Sequence, residues 1–154
     1  VGQCSRWDRS DGLAESSLLS RDRPERRHVN SSFGPRGGRL HAGIDIGSPH
    51  YQEVVAAADA EVIYANDTKG PLGKAVVLQH GRGMRTVYAH LSIIIARERD
   101  TVRQGQAIGG VGDTGRATGP HLHFEIRQNG VPLDPEAHLP ATIDELVRDL
   151  SISK

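Results

Sequence analysis

The stretch His121-Leu122-His123-Phe124-Glu125-Ile126 decides how this chain is read. Apolar and polar residues alternate strictly along it. Successive side chains of a β-strand point to opposite faces, so Leu122, Phe124 and Ile126 define a face that belongs in a core, while His121, His123 and Glu125 line the other. On that second face the two imidazoles stand about 6.6 Å apart at the usual strand rise, so one can bind a metal ion while the other reaches toward a water beside it. Glu125 shares the face, but an acidic residue near a strand end is read as solvated or paired and is given no role in the site. The strand runs into Asn129-Gly130, the dipeptide that best supplies the positive φ angles of a tight turn, so a hairpin returning through Val131 is expected.

Outward from this strand the same texture continues. Short β-branched segments punctuated by glycine occupy residues 53–58, 61–65, 75–80, 85–91 and 107–111, and no long helical pattern interrupts them. Eighteen glycines and eight prolines against two Phe, three Tyr and one Trp leave the core to Val, Ile, Leu and Ala between many turns, which predicts a mostly β fold. At 154 residues the chain suits one domain, expected over residues 29–139. Residues 1–28 carry no period that would bury a face and read as a polar linker or appendage. After Pro140, Thr142-Ile143-Asp144-Glu145 has the form of a capping box, and Ile143, Leu146, Val147 and Leu150 recur at helical spacing. A short C-terminal helix is therefore predicted within residues 140–154.

Charge and cysteine content exclude several classes. Nineteen basic residues balance nineteen acidic ones, so no broad basic field argues for nucleic acid or an anionic membrane as partner. No apolar run has transmembrane length, and a monomer is expected. The single cysteine, Cys4, makes neither an internal disulfide nor a thiolate zinc site, and Val1-Gly2-Gln3 before it fits a lipobox poorly.

Eight histidines are many for a chain of this size, and four of them, with Asp45, fall into three local patterns: His41-Ala42-Gly43-Ile44-Asp45, Tyr88-Ala89-His90-Leu91 and His121-Leu122-His123. A metal site needs donors from separate parts of the chain that converge, and neutral imidazoles with one carboxylate suit zinc at neutral pH. Gly34-Pro35, Gly37-Gly38 and the run from Gly112 to Pro120 set these patterns beside turns where a cleft can open. HExxH is absent, so this is not a helix-borne zinc peptidase with a glutamate base, and histidines not used as ligands are the natural proton carriers. His80 reads as structural; His28, His50 and His138 read as surface residues.

Together, Ser32-Phe33-Gly34-Pro35-Arg36, His41 through Asp45, Tyr88 through Leu91, and Thr114-Gly115 followed by Gly119-Pro120-His121-Leu122-His123-Phe124-Glu125 resemble the lysostaphin/LytM-type zinc endopeptidases, over roughly residues 29–139. The resemblance implies a compact, mostly antiparallel β domain of sheet or barrel-sandwich form with an open groove. It implies that His41, Asp45 and His123 hold one zinc ion, and that His90 and His121 flank the zinc-bound water or the oxyanion. The activity implied is hydrolysis of peptide bonds in peptidoglycan stem peptides or cross-links. Such a substrate places the protein in a bacterial cell envelope, whether periplasmic, wall-associated or secreted. Arg36 and Tyr88 are candidates for substrate contact.

The chain departs from the family pattern at a few positions. Tyr51 and Ala60 stand where glycine is usual, Lys74 where asparagine is frequent, and Arg97-Glu98-Arg99-Asp100 replaces a glycine-containing turn. None touches the five histidine and aspartate positions, so the departures bear on groove walls. The main rival reading is a non-enzymatic peptidoglycan-binding or hydrolase-regulating scaffold of the same fold, reached in related domains by loss of ligands; no ligand position is lost here. An amidase cutting the sugar–peptide link is a further hydrolase reading. A lipoyl- or biotinyl-carrier domain fails because its hairpin-tip lysine typically lies between methionines, and the only methionine, Met84, precedes Arg85.

Overall fold

The computed structural model describes residues 29–138 and 145–148. The expectations for residues 1–28, including Cys4 and His28, and for the cap at Thr142 lie outside them. Among the described residues the chain forms, in order, β1 (Val29–Ser31), β2 (Gly34–Arg36), β3 (Arg39–His41), β4 (Ile44–Gly47), β5 (Glu53–Val55), β6 (Ala60–Asp67), β7 (Lys74–Gly81), β8 (Met84–Leu91), β9 (Ile93–Ile94), β10 (Thr101–Val102), β11 (Ala107–Gly110), β12 (His121–Gln128), β13 (Val131–Leu133), the short helix α1 (Pro135–His138) and β14 (Val147–Arg148). The main sheet runs β1-β4-β12-β8-β7-β6-β10, with β13 also paired to β12; a second sheet runs β14-β5-β11-β9; β2 and β3 form a separate hairpin. Every pairing is antiparallel.

The alternation read in β12 is realised. Leu122, Phe124 and Ile126 are fully buried and join one apolar cluster that includes Ile44, Ile46, Tyr88 and Leu78 from the main sheet and Val54, Ile108 and Val147 from the second. Burying side chains of this size stabilises the fold by about 2 kcal/mol each. Gln128 pairs with Val131 across Asn129-Gly130, both at positive φ, which is the expected hairpin.

Two details differ from the sequence reading. The predicted C-terminal helix is not continued at Val147 and Arg148, which instead form β14 and pair with Val54 and Glu53. Val55 N–H donates to the Leu146 carbonyl at 2.9 Å. The reason is tertiary: β5 offers a free edge in the second sheet, and pairing there buries Leu146 and Val147 in the core. Tyr88 is fully buried rather than available to substrate; its ring packs 5.4 Å from that of Phe124.

Around Tyr88 runs a buried polar chain. The Ala57 N–H donates to the Tyr88 hydroxyl at 3.0 Å, the Tyr88 and Thr86 hydroxyls lie 2.9 Å apart, Thr86 Oγ1 is 2.7 Å from His80 Nε2, and His80 Nδ1 is 3.0 Å from the Asp59 carbonyl. A carbonyl only accepts, so Nδ1 carries the proton, and the neutral ring accepts at Nε2. His80 is 1% exposed, and burial pushes its pKa down to about 4. A buried histidine with a lowered pKa favours the unfolded chain as pH falls, because the unfolded state takes the proton first. The stabilisation from its neutral form is complete above about pH 6.5 and is lost between there and about pH 4, a difference of about 3 kcal/mol. Urea unfolding of wild type and His80→Phe at pH 7, 5.5 and 4 checks this. The variant starts less stable, having orphaned the Thr86 hydroxyl and the Asp59 carbonyl, but its further loss on acidification is smaller than wild type's by about that amount.

Candidate metal centre

The register of β4 on β12 builds the centre. Leu122 pairs with Ile46 and Phe124 with Ile44 on the core side, and this puts Asp45 directly opposite His123 on the other. Asp45 Oδ1 lies 2.8 Å from His123 Nδ1, and Oδ2 lies 3.4 Å from Nε2 of His41, which closes the β2–β3 hairpin opposite Gly34. One donor atom each from His41, Asp45 and His123 fall within 4.8 Å of one another. Zinc bonds of about 2.0 Å at tetrahedral angles separate neighbouring ligand atoms by about 3.3 Å, so a small closing movement of this donor set accommodates a divalent ion.

Each imidazole is oriented by its second nitrogen. His41 Nδ1–H donates to the Ser32 carbonyl at 2.8 Å, so Nε2 faces Asp45 as a lone pair. His123 Nε2–H donates to Glu125 Oε2 at 2.8 Å, and Arg127 Nε donates to the other oxygen of Glu125 at 2.7 Å. Burial opposes a charged His123, yet the hydrogen bonds to Asp45 and Glu125 outweigh it and raise the ring to about 9. Burial also opposes charge on both carboxylates, and the surrounding imidazoles, with Arg127 at Glu125, still hold them below their usual range. A cation at the Nδ1 proton's place would be balanced by the same two carboxylates. Such a carboxylate–histidine–metal chain is the outer arrangement that fixes ligand tautomers.

The sequence pattern gives Glu125 no role, yet it is 4% exposed. Its place on the histidine face of the alternating strand was the available signal. What the sequence did not carry is the cover: a Cβ at Gly43 would lie 2.2 Å from the Phe124 carbonyl oxygen and 2.8 Å from Glu125 Cγ, so the turn between His41 and Asp45 rests directly on β12. Only a residue without a side chain lets the two strands of donors approach this closely.

His90 and His121 complete the group. Between the pairs Val76–Tyr88 and Lys74–Leu91, β8 spends one more residue than β7, a bulge that leaves His90 at φ 63°. Such a bulge re-aims a side chain. It turns the His90 ring to 4.8 Å from His121 and 5.8 Å from His123. His90 Nδ1 is held by the Thr114 carbonyl at 2.8 Å, and burial keeps this histidine below its ordinary pKa, hence neutral at pH 7. His121 Nδ1 is held by the Gly119 carbonyl at 3.0 Å, and its Nε2 lies 3.6 Å from Asp45 Oδ1. With Nδ1 anchored, each ring leaves Nε2 as its free nitrogen beside the three converging donors. Arg36 lies on the exposed β2–β3 hairpin, hydrogen-bonded to the Ser31 hydroxyl.

An antiparallel β domain with two imidazoles and a carboxylate converging on one point, and two further imidazoles beside them, presents a donor set that could hold a metal ion. The model of peptidase family M23 matches residues 39–135, and the chain belongs to that family. It is 50% identical over 113 residues to the DD-carboxypeptidase/endopeptidase Mpg of Neisseria meningitidis serogroup B, covering 70% of this chain and 26% of that protein. It is 34% identical over 117 residues to the murein hydrolase activator NlpD of Escherichia coli, covering 76% of this chain and 30% of that protein. Among solved structures, the catalytic domain of the antimicrobial peptidase lysostaphin from Staphylococcus simulans superposes with a TM-score of 0.68 at 30% identity, over 74% of this chain and 92% of that one. A zinc-containing peptidase from Vibrio cholerae does so with a TM-score of 0.66 at 34% identity, over 71% and 36%. The chain spans about a quarter of the length of the Mpg relatives it matches.

Two substitutions test how the centre is supported. Glu125→Gln keeps the shape but removes the carboxylate behind His123, and zinc affinity measured against a chromogenic chelator is expected to fall by roughly 10- to 100-fold. Gly43→Ala drives a methyl group into the Phe124 carbonyl and is expected to cost about 2 kcal/mol or more in chemical unfolding.

Proposed function

We propose that this chain is a zinc-dependent endopeptidase that hydrolyses peptide bonds in the stem peptides or cross-links of bacterial peptidoglycan, acting in the cell envelope. The observation that carries the proposal is the convergence of His41, Asp45 and His123 within 4.8 Å, with the outer nitrogen of each imidazole engaged by the Ser32 carbonyl or Glu125 so that the other faces the centre. The Mpg and lysostaphin likenesses point to the same chemistry.

In this reading His41 Nε2, Asp45 and His123 Nδ1 hold the ion. Zinc, when bound, supplies Lewis acidity that polarises a carbonyl and makes water acidic enough to attack near neutral pH. His90 and His121, anchored at Nδ1 by the Thr114 and Gly119 carbonyls, present Nε2 as the place where a proton is taken up from the attacking water. Once protonated, the same atoms donate hydrogen bonds to the negative charge on the tetrahedral intermediate and return the proton to the departing amine. Glu125 touches no reacting atom; with Arg127 it keeps Nε2–H of His123 committed, so that Nδ1 stays aimed at the ion.

The likeness to a murein hydrolase activator favours a second reading, in which the domain binds peptidoglycan or regulates a hydrolase without cutting. The complete donor set and the two anchored histidines argue for turnover. Digestion of purified peptidoglycan, followed by mass analysis of released fragments with and without a chelator, separates the two. Chelator-sensitive release of peptide fragments is expected, and its absence from a zinc-loaded sample favours the scaffold. His41→Ala and His123→Ala are expected to lose both zinc and turnover, whereas His121→Ala keeps zinc and loses roughly two to four orders of magnitude in rate. A His121→Ala protein unable to bind zinc would contradict this division of labour.

A further inference from the structure

Tyr51 holds a left-handed backbone, at φ 69°. An aromatic L-residue is disfavoured there and glycine is not. Burial does not compensate, because Tyr51 is 66% exposed. An aromatic ring held out from the core in this way is suited to a binding role.

Its surroundings give that role a chemistry. Tyr51 N–H donates to the Val111 carbonyl at 2.8 Å, and Val111 N–H to the Gln52 carbonyl at 2.9 Å. This ties the segment to the strip that carries the site: His121 N–H donates to the Gly112 carbonyl at 3.1 Å, and the Thr114 carbonyl holds His90. On one side of Tyr51 the His50 ring lies 5.1 Å away at 33°, and His50 Nε2 is 3.3 Å from Asp113 Oδ1. Ile93, 48% exposed, borders the same Gly110 as the Tyr51 backbone: a Cβ there would stand 3.2 Å from Ile93 Cγ1, 3.3 Å from Ser92 Oγ and 3.5 Å from Tyr51 Cα. An exposed aromatic ring and an exposed aliphatic chain therefore flank a bare backbone, with an imidazole–carboxylate pair at the edge, next to the rim that holds His90 and His121.

We infer that this shelf is a saccharide subsite, taking an N-acetylhexosamine ring of the glycan to which the cleaved peptide is attached. The inference rests on the peptidoglycan reading above and deepens it. A pyranose has a C–H face that packs on an aromatic ring and polar groups at its edge, which matches Tyr51 with the His50–Asp113 pair. A cationic side chain would call for a carboxylate not already engaged, and Asp113 is engaged by His50. A wholly apolar partner would gain nothing from that pair.

The decisive variant is Tyr51→Gly, which removes the ring and relieves the backbone. It is expected to melt at the same temperature or roughly 3 °C higher, so weaker binding is not a folding defect. Titration of the zinc-loaded chain with a peptide-free β-linked N-acetylhexosamine disaccharide, followed by NMR, is expected to perturb the Tyr51 ring signals. Affinity should drop at least fivefold in Tyr51→Gly. Equal affinity in the two proteins, or no binding by wild type, overturns the inference. In hydrolysis, the fall in kcat/KM caused by Tyr51→Gly is expected to be at least fivefold larger on a disaccharide-bearing muropeptide than on the same peptide without sugar. Equal falls would mean that the shelf takes peptide, which also overturns it. If wild type binds the disaccharide but cuts neither substrate, the subsite stands and the endopeptidase reading fails.

Discussion

The structure depends on the antiparallel pairing of β4 with β12, in which one register serves two faces. On the core side Ile46 meets Leu122 and Ile44 meets Phe124; on the other side the same register sets Asp45 against His123. A slip of one residue would send the carboxylate into the apolar core and the isoleucines into the site, so hydrophobic burial enforces the geometry of the charged centre. The cost of gathering Asp45, Glu125 and several imidazoles in a part-buried space is offset by mutual hydrogen bonds and by Arg127.

Around that pairing, backbone carbonyls do much of the positioning. Ser32, Thr114 and Gly119 each accept a proton from an Nδ1, so three imidazoles from three stretches of chain point Nε2 inward. The Thr114 carbonyl is itself set by close backbone contact: a Cβ at Gly73 would lie 2.5 Å from the Thr114 carbonyl carbon, and the Thr114 hydroxyl donates to the Leu91 carbonyl at 2.7 Å. The bulge that turns His90 inward lies at this junction, where β8 leaves its partner β7. The precise placement of these side chains comes from strand ends and bulges locked to neighbouring turns, with rigid β structure on either side.

The same logic explains how a family scaffold accommodates unusual residues. Tyr51 and Arg99 hold φ values of 69° and 77°, a region that favours glycine. The surrounding hydrogen bonds, such as Arg99 N–H to the Val62 carbonyl at 2.8 Å, dictate the backbone and override the residue's own preference. Ala60, by contrast, sits buried in β6, where a methyl group packs without such a demand. His41, Asp45 and His123 leave less room for such change, because their donor atoms converge within 4.8 Å.

The sequence by itself determined the β character of the chain, the core face of residues 121–127, the hairpin at Asn129-Gly130 and the donor inventory of His41, Asp45, His90, His121 and His123. These are legible because period-two alternation and turn chemistry are local properties, and because imidazole and carboxylate side chains announce their chemistry wherever they fall. The tertiary structure alone decided that Glu125 is buried behind His123, that Tyr88 belongs to the core, that His90 adopts a left-handed backbone, and that Val147 and Arg148 pair as a strand instead of continuing a helix. Each of those outcomes depends on what lies across from the residue: the Gly43 turn over Glu125, the His80–Thr86 chain beside Tyr88, the mismatch of β7 and β8 at His90, and the open edge of β5 at Val147. Such long-range partners leave no periodic trace in the chain, and only folding brings them within bonding distance.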